Sequence, residues 1–65
     1  MVKINGENID IAQGTVLTKY LEDSGHNLSR VAVEINGNII PKKNYNDTIL
    51  HDGDKVEIVS FVGGG

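Results

Sequence analysis

The last residues of the chain carry the group with the clearest potential for chemistry. Three glycines, Gly63, Gly64 and Gly65, directly follow an apolar segment that contains Phe61 and Val62. Because glycine has no Cβ, such a segment can pass through a narrow channel that any side chain would block. The α-carboxylate of Gly65 is then the predicted reactive group, activated and loaded by a partner enzyme. The alternative interpretation is an ordinary loose chain end, since termini tolerate glycine.

The other polar residues that could do chemistry have structural explanations. Asp52 and Asp54 flank Gly53, which is the spacing of a turn whose Asp side chains bind nearby amides, and a calcium loop needs more oxygen ligands. His26 and His51 have no Cys to complete a ligand set, so we predict no metal site. No serine stands in a nucleophile motif, and no phosphate-binding glycine loop precedes a helix. We therefore expect a carrier, a substrate or a binding module, not an enzyme.

Length and charge narrow the class of protein further. A chain of 65 residues forms one small domain. It has no Cys, so its stability depends on one core without disulfides, which fits a reducing compartment. A net charge of -3 argues against binding to nucleic acid. The sequence has no signal peptide and no long apolar segment, so we expect a cytoplasmic protein that does not interact with membranes.

Two β-hairpins are predicted by asparagine-glycine pairs between alternating segments. Residues 1–5 and 8–11 alternate between apolar and polar on either side of Asn5-Gly6. The same pattern recurs where residues 31–35 precede Asn36-Gly37, and Pro41 ends the returning strand. Asn and Gly tolerate the positive φ that tight hairpin turns require.

One helix is predicted between the hairpins, over residues 16–24. Its apolar face carries Leu17 and Leu21, at helical spacing. Thr15 is the predicted N-cap, and Gly25 suits the left-handed residue that ends many helices.

The last third of the chain is predicted to be a loop and a final strand. Residues 42–48 are polar and read as irregular, with Tyr45 laid on the core. Residues 55–62 form the last strand, whose end is apolar on both faces because of Val59, Phe61 and Val62. Core packing is one interpretation of each of these side chains, but a core this small should leave at least one of them outside. We expect Phe61, with Val59 or Val62, to contact a partner at the base of the tail.

The resulting order is β-β-α-β-β-β, an α+β arrangement with one helix across one face of a sheet. The last strand is expected to pair centrally, and the pattern leaves the strand order open. The predicted core consists of Leu17, Leu21, Val31 or Val33, Ile35, Val56 and Ile58.

The whole chain resembles the ThiS family, the sulfur carrier proteins of thiamin thiazole synthesis. The resemblance rests on the first hairpin, on Thr15 with the Leu17 and Leu21 face, and on several later motifs. These motifs are Val31-Ala32-Val33-Glu34-Ile35-Asn36-Gly37, Ile40-Pro41, Asp52-Gly53-Asp54-Lys55-Val56-Glu57-Ile58 and the terminal glycines. Gly64 and Gly65 match the final pair of the family, whereas the role of Gly63 is open.

The resemblance implies a ubiquitin-like β-grasp domain over residues 1–62 and a flexible reactive tail over residues 63–65. It also implies that an ATP-using adenylating enzyme of the ThiF type activates the Gly65 carboxylate. Sulfur from a persulfide donor system then gives a thiocarboxylate, which thiazole synthase receives. The carrier, a monomer when free, binds no cofactor itself.

Two alternatives stay open at the level of sequence. One is the small subunit of molybdopterin synthase, which shares the fold and the tail but is typically longer. The other is a β-grasp interaction module with an inert tail, which the acidic charge balance disfavours.

Overall fold

The structure, a computed structural model, describes residues 1–61 and shows one main helix on one face of a five-stranded sheet. The elements are β1 (Val2–Ile4), β2 (Glu7–Ile9), α1 (Leu17–Asp23), β3 (Val31–Ile35), β4 (Asn38–Ile40) and β5 (Lys55–Ser60). Short 3₁₀ helices span Leu28–Arg30 and Lys42–Asp47. The strand order is β2-β1-β5-β3-β4, in which β1 and β5 are parallel and the other neighbours antiparallel. The mixed sheet and its central last strand are therefore confirmed.

Both predicted hairpin turns are present. Asn5 and Gly6 have φ values of 48° and 85°, and Asn36 and Gly37 have 52° and 86°. Two consecutive residues with positive φ match the right-handed twist of the flanking strands, which is why asparagine and glycine occur here. The second strand is shorter than the alternation predicted and ends at Ile9.

The helix buries the predicted face but begins differently from the prediction. Leu17 and Leu21 are fully buried, and Gly25 has a φ of 81° after the helix. The prediction of Thr15 as N-cap is wrong, because its hydroxyl donates to the Ala12 carbonyl at 2.7 Å. Backbone pairing with the segment before β5 replaces the cap: the Leu17 amide donates to the Thr48 carbonyl at 2.7 Å.

The polar segment before β5 is more ordered than predicted. Residues 42–48 were expected to be irregular, but Lys42–Asp47 form a 3₁₀ helix that begins after Pro41. Proline suits this position because it has no amide hydrogen to leave unpaired. Tyr45 lies on the core as predicted and is 4% exposed. Burial raises the pKa of the Tyr45 hydroxyl, and a hydrogen bond with the Val33 backbone partly offsets that rise.

The core lies between α1 and the inner face of the sheet. Every residue predicted for it is buried, including both Val31 and Val33. Tyr45 joins them, and three residues that were not predicted complete the core, namely Val2, Ile4 and Leu50. None of the helices within residues 1–61 combines the length and the apolar character needed to cross a lipid bilayer.

Candidate functional site

Two of the predicted contact residues lie at the end of the central strand β5: Val59 is in the strand, and Phe61 is the last residue that the structure describes. Successive side chains of a strand point to opposite faces. Val56 and Ile58 therefore enter the core, while Glu57 and Val59 face away from the helix. Since β5 pairs with β1 on one side and β3 on the other, its direction is set by the whole sheet.

Two of the predicted contact residues are exposed in the structure. Val59 is 57% exposed and Phe61 is 53% exposed. The Phe61 amide donates to the Arg30 carbonyl at 2.7 Å, so pairing with β3 continues past the end of β5. This alternation places Phe61 on the same face as Val59. Val62 and the glycines at 63–65 lie outside the described residues.

Apolar side chains on this face of the sheet form a surface that we call the outer patch, which consists of the exposed Ile39, Val59 and Phe61 and the half-buried Ala32. Ala32 is the cross-strand partner of Val59, and the two line a shallow groove with Ile39 on β4. Ile39 is 77% exposed, the highest exposure among the large apolar residues that the structure describes. Ile39 is not among the predicted contact residues, although alternation along β4 places its side chain on the face opposite to that of the half-buried Ile40. Exposed apolar side chains grouped on one face of a domain are typical of a protein interaction site.

Two carboxylates border the outer patch. Glu34 and Glu57 are directly opposite each other in the β3–β5 register, and both line the groove. Like charges in this arrangement destabilise a sheet slightly. The salt bridges within residues 1–61 involve Asp52 and Asp23, not these two glutamates. The groove is therefore complementary to a partner surface that is apolar with a basic side chain.

The side chain of Asn5 binds the backbone of β5, which the sequence analysis did not predict. Its Nδ2 donates to the Ile58 carbonyl at 3.1 Å, and its Oδ1 accepts from the Ile58 amide at 2.7 Å. The Asn5-Gly6 pair predicts a positive φ at Asn5 but no contact of its side chain. Nothing in the local sequence indicates a partner 53 positions away.

The acidic turn before β5 is structural, as predicted. Asp54 Oδ2 accepts from the His51 amide at 2.8 Å, and Asp54 Oδ1 accepts from Asn36 Nδ2 at 3.0 Å. The positive φ of Gly53, 88°, closes the turn. Among residues 1–61, no three acidic or histidine side chains are placed to hold a metal ion.

Polar side chains that line a hollow beside α1 are hydrogen-bonded to neighbouring residues. The Thr18 hydroxyl donates to Asn46 Oδ1 at 2.6 Å and contacts the Tyr45 carbonyl at 3.1 Å. Lys42 Nζ donates to the Ser29 carbonyl at 2.8 Å. The Thr18 bonds hold the second 3₁₀ helix against α1, and the Lys42 bond joins the two 3₁₀ helices, so the hollow is explained by the fold.

The fold and the exposed face define the class of protein: a β-grasp domain whose central strand leads into a glycine-rich segment. The crystal structure of the thiamine biosynthesis protein (ThiS) from Geobacter metallireducens has the same fold. Its TM-score is 0.77 at 31% identity, and the match covers 98% of this chain and 97% of that one.

The family model described as "ThiS family" matches residues 2–65, and the chain belongs to the ThiS family. A "thiazole synthase" of Paramagnetospirillum magneticum is 42% identical over 62 residues, which are 95% of this chain and 19% of that protein. The "uncharacterized protein ycf40" of Porphyra purpurea is 38% identical over 98% of this chain and 90% of its own length. The chain thus spans about a fifth of the first relative and most of the second.

Proposed function

We propose that this protein is a sulfur carrier of thiamin biosynthesis, in which the carboxylate of Gly65 is the reactive group. Residues 1–62 form the folded domain, and residues 63–65 form the tail that enters partner enzymes. The observation that carries the proposal is the ThiS family match, which extends through the folded domain and the three glycines. The protein acts as a co-substrate in the cytoplasm and needs no bound cofactor.

The proposed cycle begins with activation, because a carboxylate is a poor electrophile. An adenylating enzyme of the ThiF type joins the Gly65 carboxylate to the α-phosphate of ATP and releases pyrophosphate. The terminal sulfur of a persulfide then displaces AMP, and a thiol cleaves the resulting S–S bond to leave a thiocarboxylate. A terminal glycine suits this chemistry, because it is the least hindered acyl centre a protein can offer.

The outer patch is the proposed docking surface for the adenylating enzyme. Val59 and Phe61, with Val62 following, stand at the base of the tail, so a partner that grips them also directs the glycines. The exposure of Val59 and Phe61 means that a partner can bury these two side chains without unfolding the domain. Glu34 and Glu57 favour a partner with a basic residue opposite the groove and make binding weaker at high salt.

Thiazole synthase is the proposed acceptor of the sulfur. The support is that the segments similar to this chain make up 19% and 20% of two longer proteins named "thiazole synthase". Joining a carrier domain to its acceptor in one polypeptide raises their effective concentration, which is useful when the two must meet.

Tail length provides a test of the proposal. Three chains are compared: the full sequence, a chain without Gly65 and a chain with one residue added after Gly65. Each change moves the carboxylate by about 3.3–3.6 Å, whereas a misplacement of about 1 Å can cost a hundredfold in rate. We expect both altered chains to retain their thermal stability and to lose most single-turnover pyrophosphate release with ATP and the adenylating enzyme.

Equal rates for the three chains would contradict the proposed mechanism.

The acceptor is tested separately, by supplying the thiocarboxylate form to thiazole synthase or to the large subunit of molybdopterin synthase. Sulfur transfer to the second enzyme alone would replace thiazole formation with molybdopterin synthesis as the function.

A further inference from the structure

Strand β1 is too short to support the whole length of β5. The parallel pairing of the two strands covers Lys3 with Lys55 and Ile4 with Val56. The last backbone bond between them runs from the Asn5 amide to the Val56 carbonyl, at 2.8 Å. After Asn5 the chain turns back into β2. The backbone of β1 therefore has no residue opposite Ile58, whose amide and carbonyl are the next groups of β5 to face β1.

The side chain of Asn5 takes the place of that missing residue. A carboxamide carries the same donor and acceptor as a peptide group. Asn5 uses both toward one residue, donating to the Ile58 carbonyl at 3.1 Å and accepting from the Ile58 amide at 2.7 Å. The hydrogen bonds along the β1 side of β5 thereby extend to Ile58, three residues before Phe61.

We propose that Asn5 is a positioning residue for the tail, which fixes the direction in which β5 leaves the sheet toward the adenylating site. This inference rests on the proposed function. Without the Asn5 carboxamide, the end of β5 is held on one side only, by β3. The carboxylate lies seven residues beyond Ile58. With the tail held by the adenylating enzyme, a change of direction at Ile58 shifts the reacting group, and a misplacement of about 1 Å can cost a hundredfold in rate.

Asn36, in the turn between β3 and β4, offers a matched control because its side chain binds the other end of β5. It occupies the equivalent position of the other asparagine-glycine turn, with a φ of 52° against 48° for Asn5. Its side chain also makes two hydrogen bonds: Oδ1 accepts from the Lys55 amide at 3.0 Å, and Nδ2 donates to Asp54 at 3.0 Å. These contacts hold the beginning of β5, at the far end from the tail.

The test compares Asn5→Gly with Asn36→Gly. Glycine accepts the positive φ of both turns, so each variant loses its side-chain bonds without backbone strain. Folded fractions are measured first by thermal unfolding. Single-turnover pyrophosphate release is then measured over a range of carrier concentrations, with the adenylating enzyme and ATP. This separates the rate at saturation from the carrier concentration that gives half of it.

We expect Asn5→Gly to lower the rate at saturation about tenfold or more, with little change in half-saturation because the outer patch is intact. Asn36→Gly loses hydrogen bonds that are exposed, whereas those of Asn5 are partly buried, so it should cost less stability and keep the wild-type rate. Asn5→Asp keeps the acceptor but places a carboxylate oxygen against the Ile58 carbonyl in place of the donor, so it should also lower the rate at saturation, and it is the variant to measure if Asn5→Gly does not fold. Equal saturating rates for folded Asn5 and Asn36 variants would overturn the inference, whereas no adenylation of the wild-type chain would instead overturn the proposed function.

Discussion

Truncating Phe61 to alanine should weaken docking to the adenylating enzyme while leaving the domain folded. Phe61 is 53% exposed and lies just beyond β5, so its ring contributes little to the core. An aromatic side chain can bury about 150–250 Å², and roughly half of that area is still free in this protein. At about 25 cal/mol per Å², burial of the free half corresponds to about 2–3 kcal/mol, and the contribution to binding lies at the lower end because part of it offsets the cost of ordering the interface.

A loss of about 2 kcal/mol corresponds to a roughly thirtyfold weaker complex. The assay is titration of the adenylating enzyme with the carrier in the presence of ATP, after thermal unfolding has shown that the variant is folded. The expected effect is a higher half-saturation concentration. Val59→Ala should act in the same direction, since its side chain shares the outer patch.

Ile49→Ala is the control for this experiment. Ile49 is also a large exposed apolar residue, at 44%, but its backbone bridges to Val16 before α1 and it is not part of the outer patch. Its truncation should leave the titration unchanged. If Phe61→Ala is folded and binds as tightly as the wild-type chain, or if Ile49→Ala weakens binding equally, the outer patch is not the docking surface.

Two predictions concern stability. Leu21→Ala should lower the free energy of unfolding by about 2–5 kcal/mol, because Leu21 is fully buried; a urea titration that shows no loss would mean that this face of α1 does not hold the core. Tyr45 has a pKa above its usual value of 10.0 in the folded state, because burial disfavours its charged form. The contribution of this pKa shift to the free energy of unfolding is therefore complete below pH 10.0 and is lost as the pH rises through the folded-state pKa, because proton binding and stability are linked. Urea titrations at neutral pH and above pH 10 should show a steeper fall for the wild-type chain than for Tyr45→Phe; equal falls would refute this assignment.

The hairpins, the buried face of the helix and the exposed end of β5 could be predicted because each depends on neighbouring residues. Asn5-Gly6 and Asn36-Gly37 specify their own backbone conformation. The spacing of Leu17 and Leu21 identifies one side of a helix without knowledge of what covers it.

The features that the sequence analysis missed depend on distant contacts. Thr15 was predicted as a cap because Thr suits that position, but the nearby backbone pairs with the segment around Thr48. The 3₁₀ helix around Tyr45 forms where the chain packs on α1 and has no strong periodic signal. The bond from Asn5 to Ile58 requires the strand order, which a linear pattern does not contain.

The central claim is that sulfur is carried at the carboxyl carbon of Gly65. It is tested most directly by intact-mass measurement of the purified chain after incubation with ATP, a persulfide donor, a thiol and the adenylating enzyme. The account predicts a mass increase equal to the replacement of one oxygen by one sulfur. Fragmentation should place that change on Gly65, and it should not occur when ATP is omitted. An unchanged mass under conditions in which the enzyme is active on a known carrier, or a sulfur located on any other residue, would contradict the account.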